Sequence, residues 1–133
     1  TYRYMAISCV KRKTFLFLDQ DTELIQILSA YLGIEGYRTL HCDSIKMANK
    51  KVDNQKFEMI LVDPLGFEDG FEDFIERCRQ PGHINHATAF ILMSHTLSTP
   101  IDLRLKTAVS FVLPKPFELE SLMGVIAATK KSH

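Results

Sequence analysis

Four apolar runs in this chain stop on polar residues of kinds that do chemistry. "FLFL", residues 15–18, leads into Asp19-Gln20-Asp21, "MILV" into Asp63, "AFILM" into Ser94, and "FVLP" into Lys115 followed by Pro116. Carboxylates offer acceptor oxygens, while a hydroxyl and an ammonium offer donors, so such a set has partners for both a cation and an anion. They meet only if each run is a strand of one parallel sheet. In such sheets functional groups collect beyond the carboxyl ends of the strands, at the point where the chain order reverses.

The pattern around these residues supports that requirement. Short apolar runs alternate with longer amphipathic segments, which is the signature of βα units around a parallel sheet. Strands are predicted at residues 14–18, 38–41, 59–62, 88–93 and 109–113. "FLFL", "MILV" and "AFILM" are continuously apolar rather than alternating, as befits strands covered on both faces. Leu24, Ile25, Ile27, Leu28, Tyr31 and Leu32 recur at helical spacing, with Asp21 at the N-cap, Glu23 in the first turn and Gly33 as the expected terminator. Further helices are predicted at residues 44–52, 71–79, 100–106 and 118–129. The stretch "QPGHINHAT" combines chain breakers with polar residues and is expected to be a loosely held loop that folding does not require.

Length and composition bound the alternatives. At 133 residues and 46% hydrophobic, the chain suits one domain with a substantial core. Residues 1–13 lack a clear period and read as an extension, with the domain proper at 14–133. Sixteen basic and sixteen acidic side chains balance, which gives no footprint for nucleic acid. No apolar run approaches the ~20 residues of a membrane span. Cys9, Cys42 and Cys78 are odd in number and far apart, as expected of reduced thiols in a cytoplasm rather than a disulfide framework. Cys78, His83, His86 and His95 match no compact zinc spacing. No glycine-rich phosphate loop follows the first strand, which weighs against nucleotide or flavin.

An acidic loop, a strand-end Asp, a strand-end Ser and Lys-Pro-Phe, in this order and spacing, resemble the receiver domain of bacterial two-component response regulators from about Lys13 to the C-terminus. The resemblance implies an α/β, flavodoxin-like (βα)5 three-layer sandwich with strand order 2-1-3-4-5. It implies Asp63 as phosphoacceptor, and Mg2+ held by Asp19, the residue at Gln20, Asp63 and the backbone carbonyl of Leu65. Lys115 would contact the phosphoryl oxygens after a cis Lys115-Pro116 bond, and the Ser94 hydroxyl would swing toward the acyl phosphate. The implied partners are a histidine kinase or phosphotransfer protein, a downstream protein or output domain, and a second copy of the chain, with neither nucleic acid nor membrane bound. The implied location is the cytoplasm, and the only catalysis is of the domain's own phosphorylation and dephosphorylation.

The same residues depart from the pattern. Gln20 stands where the family has an acid, which removes charge from the metal site and implies weak Mg2+ binding. "DPLGFEDG" is one residue short, and Pro64 removes a backbone donor after Asp63. His95 replaces a small residue. Val112 stands where the family has an aromatic switch residue, and Phe111, one place off, should point to the other face of its strand. The rival expectation is a pseudo-receiver, a protein-interaction module independent of phosphorylation. A flavin-binding electron carrier is a more distant alternative.

Overall fold

The computed structural model describes residues 12–95 and 109–131. The strands are β1 (Thr14–Leu18), β2 (Arg38–Cys42), β3 (Met59–Val62), β4 (Ala89–Ser94) and β5 (Phe111–Pro114). The helices are α1 (Thr22–Ile34), α2 (Ile45–Asn54), α3 (Phe71–Arg79) and α4 (Leu119–Lys131). All strand pairs are parallel, in the order β2-β1-β3-β4-β5. The sheet therefore has the order that the resemblance implied. The helix predicted at 100–106 and most of the 1–13 extension lie outside the described residues.

The continuous apolar runs explain the three layers. Successive side chains of a strand point to opposite faces, and both faces of the central strands are covered. Leu16, Leu18, Ile60, Val62, Phe90 and Leu92 pack beneath Ala48 and Val52 of α2 and Phe71, Phe74, Ile75 and Cys78 of α3. Their neighbours Phe15, Phe17, Met59, Leu61, Ile91 and Met93 pack beneath Ile25, Leu28 and Leu32 of α1 and Leu122 and Ile126 of α4. The register sets Phe15 beside Met59 and Leu16 beside Ile60, so like faces stay together across the sheet. A one-residue slip would exchange the two sets.

The helices begin and end for local reasons. Asp21 caps α1 by accepting a hydrogen bond from the Leu24 N–H at 3.1 Å, and Ser44 caps α2 by accepting from the Met47 N–H at 3.1 Å. Gly33 does not terminate α1, as the sequence led us to expect; the helix passes through it to Ile34. Gly36, at φ +93°, makes the left-handed turn instead. Its N–H donates to the Gly33 carbonyl and the Tyr37 N–H to that of Leu32, at 3.1 and 2.9 Å, the paired bonds of a Schellman stop. Tyr37 then lies on Phe15, with ring centroids 4.7 Å apart.

The segment from Gln80 to Thr88 corrects a second expectation. It is tied into the core through Asn85, which is fully buried. The Asn85 amide donates to the carbonyls of Val52 and Gln55 at 2.8 and 2.9 Å and accepts from the Phe57 N–H at 2.9 Å. One side chain thus satisfies the end of α2 and the entrance to β3. Thr88 Oγ1 lies 2.9 Å from Asn85 Oδ1 and 3.2 Å from the Phe57 carbonyl, and its single proton serves one of them at a time. His83 Nδ1 accepts from the Asn85 N–H at 2.9 Å, so Nε2 carries the proton that reaches Asp53 at 2.9 Å. Arg77 grips the same carboxylate with two nitrogens. A polar loop reads as loose from composition alone because the fixed partners of Asn85 lie about thirty residues earlier.

Asn85→Ala should therefore destabilise the fold by about 3 kcal/mol, because it leaves a buried N–H and two carbonyls unpaired. Urea unfolding would measure this, and a cost below about 0.5 kcal/mol would return the loop to the class of ordinary surface segments. The hydrogen bond from Arg77, then that from His83, hold the Asp53 carboxyl down at about 2, against an ordinary 3.8. Its contribution is therefore complete above pH ~4 and lost as the pH falls toward 2. Because the Asp53 side chain is 36% exposed, the increment should stay below about 1 kcal/mol. The stability gap between the unsubstituted protein and Asp53→Asn should close across that window.

Candidate functional site

The chain order reverses at β1, whose neighbours β2 and β3 lie on opposite sides, and the polar strand ends meet there. Asp19 follows β1, Asp63 follows β3 and Lys115 follows β5. The Asp63 N–H donates to the Leu18 carbonyl at 2.9 Å, and the Lys115 N–H donates to that of Ser94 at 2.8 Å, so backbone bonds align adjacent strand ends. The Lys115-Pro116 peptide is cis.

Asp19, Asp63 and Lys115 are 2, 4 and 8% exposed. Lys115 Nζ donates to Asp19 Oδ2 at 2.7 Å and to Asp63 Oδ2 at 2.8 Å. Each carboxylate uses its other oxygen in the same way: Asp19 Oδ1 accepts from the Asp21 N–H at 2.8 Å, and Asp63 Oδ1 from the Leu65 N–H at 3.0 Å. The two loops are thus folded around their own carboxylates. Burial alone would push the Lys115 ammonium to a lower pKa, but hydrogen bonds and charge from Asp19 and Asp63 together outweigh it, and the net shift is upward. Two carboxylates and one ammonium leave one negative charge in a nearly closed site.

Above the three lies a cleft of about 250 Å3 lined by Asp19, Gln20, Asp21, Asp63, Leu65, His95 and Lys115. Ser94 ends β4, buried, and its neighbour His95 is the one that reaches the lining. Gln20 is exposed, and its amide group lies against Gly66, where any Cβ would overlap it. Gly66, at φ +87°, is the third residue of a turn closed by the Phe67 N–H on the Pro64 carbonyl at 2.9 Å. Gln20 therefore bridges the loops after β1 and β3 at the rim. Asp21 serves as the helix cap, and Leu65 is 64% exposed at the cleft edge. Val112 packs on the α2 and α3 side of the sheet and Phe111 on the α1 and α4 side, as strand alternation requires.

Sequence reasoning missed His41, which it placed at the end of the second strand without a functional role. It lies within β2 opposite Phe17, and its Nε2 sits 2.6 Å from the Asp19 carbonyl oxygen. A carbonyl only accepts, so this nitrogen is the donor. The available signal was the register, which sets a histidine one residue before the partner of Leu18.

The donor chemistry suits a hard divalent cation of modest affinity. Mg2+ is commonly held by one or two carboxylates with retained waters, and Asp19 and Asp63 provide two that face one cleft. Among the described residues no group of three or more His, Cys, Asp or Glu side chains converges. Cys78 is buried, and burial raises its thiol to about 12. His83 and His86 are bonded elsewhere, to Asp53 and to the Arg79 carbonyl.

No family model matches the chain, and no curated protein matches it. Several solved structures share its fold. Chemotaxis protein CheY4 of Vibrio cholerae superposes with a TM-score of 0.76 at 21% identity, over 90% of this chain and 99% of that one. The receiver domain of sensor histidine kinase PA1611 from Pseudomonas aeruginosa PAO1, with a magnesium ion in its active site cleft, gives 0.75 at 18% identity over 89% and 97%. The beryllofluoride-activated NtrC4 receiver domain dimer gives 0.75 at 21% over 90% and 97%. At these identities the likeness establishes the fold. The chain therefore has the fold of response-regulator receiver domains.

Proposed function

We propose that the chain is a signalling receiver that accepts a phosphoryl group on Asp63. The observation that carries this reading is the Lys115 ammonium held between two buried carboxylates at the floor of a cleft. A carboxylate oxygen of Asp63 attacks phosphorus in a phosphohistidine or small acyl phosphate. The bond from phosphorus to the donor breaks, and the donor leaves with its electron pair. The product is an acyl phosphate on Asp63. Bound by Asp19 and Asp63, with the Leu65 carbonyl and the rim residue Gln20 nearby, Mg2+ would neutralise phosphoryl charge approaching a carboxylate. Lys115 donates to the incoming oxygens as a point charge while retaining Asp19. The Ser94 hydroxyl turns toward the phosphoryl group.

The partner that fits this chemistry is a histidine kinase or phosphotransfer protein in the cytoplasm, and the output is a changed protein contact rather than turnover of a substrate. One observation favours the second reading, a phosphorylation-independent interaction module: Gln20 is neutral and lies on Gly66. That reading needs the triad only as a structural tie.

Asp63→Asn should abolish any response to beryllofluoride and Mg2+, while the chain remains folded because Lys115 retains Asp19. Amide shifts at Ser94 and Lys115 would report it. Absence of a response in the unsubstituted chain at saturating Mg2+ would favour the interaction module, and phosphoryl label on another carboxylate would refute the site. Gln20→Asp should tighten Mg2+ about tenfold, the equivalent of about 1.4 kcal/mol for one restored charge. An unchanged titration would place residue 20 outside the cation's reach.

A further inference from the structure

The Asp19 carbonyl sits where the sheet stops helping it. The ladder between β1 and β2 ends at Leu18 and Cys42, and the Asp19 N–H makes only a long 3.4 Å bond to the Cys42 carbonyl. In a parallel ladder that carried on, the next amide along the second strand would meet the Asp19 carbonyl. Here that amide belongs to Ser44, the N-cap of α2, and it makes no bond to the Asp19 carbonyl. Asp19 is 2% exposed, so water is a poor substitute for the missing donor.

The geometry points to His41 as a positioning residue for the Asp19 carboxylate: its ring replaces the lost ladder donor and fixes the backbone from which that carboxylate projects. The bond is short, at 2.6 Å, and spans 22 residues of sequence. From the pinned carbonyl, the Asp19 side chain reaches Lys115 with one oxygen and the Asp21 N–H with the other. Each bond is directional, so rotation of the Asp19 peptide would misalign both. His41 touches neither the Lys115 ammonium nor any reacting atom and acts only through Asp19, as outer partners of a ligating carboxylate do. The consequence for cation affinity rests on the phosphoacceptor reading above, whereas the consequence for the loop does not.

Two substitutions separate the donor from the ring. His41→Phe keeps an aromatic ring and removes the donor; His41→Gln removes the ring and keeps an N–H at a similar reach. The metal-free loop is read by hydrogen exchange at the Asp21 amide, which the Asp19 carboxylate holds. His41→Phe should speed that exchange about tenfold and weaken Mg2+ by a similar factor, while the beryllofluoride response at saturating Mg2+ is retained. His41→Gln should restore both to within about threefold of the unsubstituted chain. Unchanged exchange in a folded His41→Phe protein, or failure of His41→Gln to restore it, would overturn the proposal. If the unsubstituted chain binds no Mg2+, the phosphoacceptor reading fails on its own, and the exchange measurement decides the role of His41.

Discussion

Everything at the functional edge depends on one ammonium held between two carboxylates. Lys115 is 96 residues from Asp19 and 52 from Asp63 in sequence, so the contact exists only when β1, β3 and β5 end at one level of the sheet. Desolvating three charges is costly, and removing one partner of a buried pair typically costs about 3–5 kcal/mol because the other charge is left uncompensated. The arrangement is tolerable because every oxygen of the two carboxylates accepts a hydrogen bond, from the lysine or from a loop N–H. The single negative charge that remains would suit the cation proposed for the cleft.

The core sets that level. Phe15 and Phe17 face α1 and α4, while Leu16 and Leu18 face α2 and α3. A slip of β1 by one residue would therefore bury the wrong set on both faces and move Asp19 away from Lys115. Packing and chemistry are thereby linked: the apolar alternation that fills two layers also specifies which carboxylate reaches the cleft. At the opposite edge, Asn85 does comparable work without chemistry by tying the end of α2 to the entrance of β3. The loop after β3 can turn sharply because Gly66 has no Cβ, and the space it leaves is taken by Gln20.

Most of the fold was legible in the sequence because its strands are apolar runs and its helices have periodic faces. The limits of α3 and the cap at Asp21 followed from local signals. What escaped was non-local. Gly33 looked like a stop, but the chain turned at Gly36, where two backbone bonds and the contact of Tyr37 with Phe15 agree. The loop around His83 looked loose because the partners of Asn85 are distant in the chain. Among the residues singled out for chemistry, Asp19, Asp63 and Lys115 come into contact, while Gln20 and Leu65 line the cleft above them. His41 was invisible as a functional candidate, since only the register between β1 and β2 reveals which carbonyl its ring can reach.

The state of the Lys115 ammonium tests this account most directly. A pH titration of its side-chain nitrogen by NMR, in the metal-free protein, should show it remaining protonated above the ordinary lysine value of 10.5, because two adjacent carboxylates outweigh its burial. Titration below that value would contradict the account, since it would mean that burial prevails and that Asp19 and Asp63 do not share the lysine.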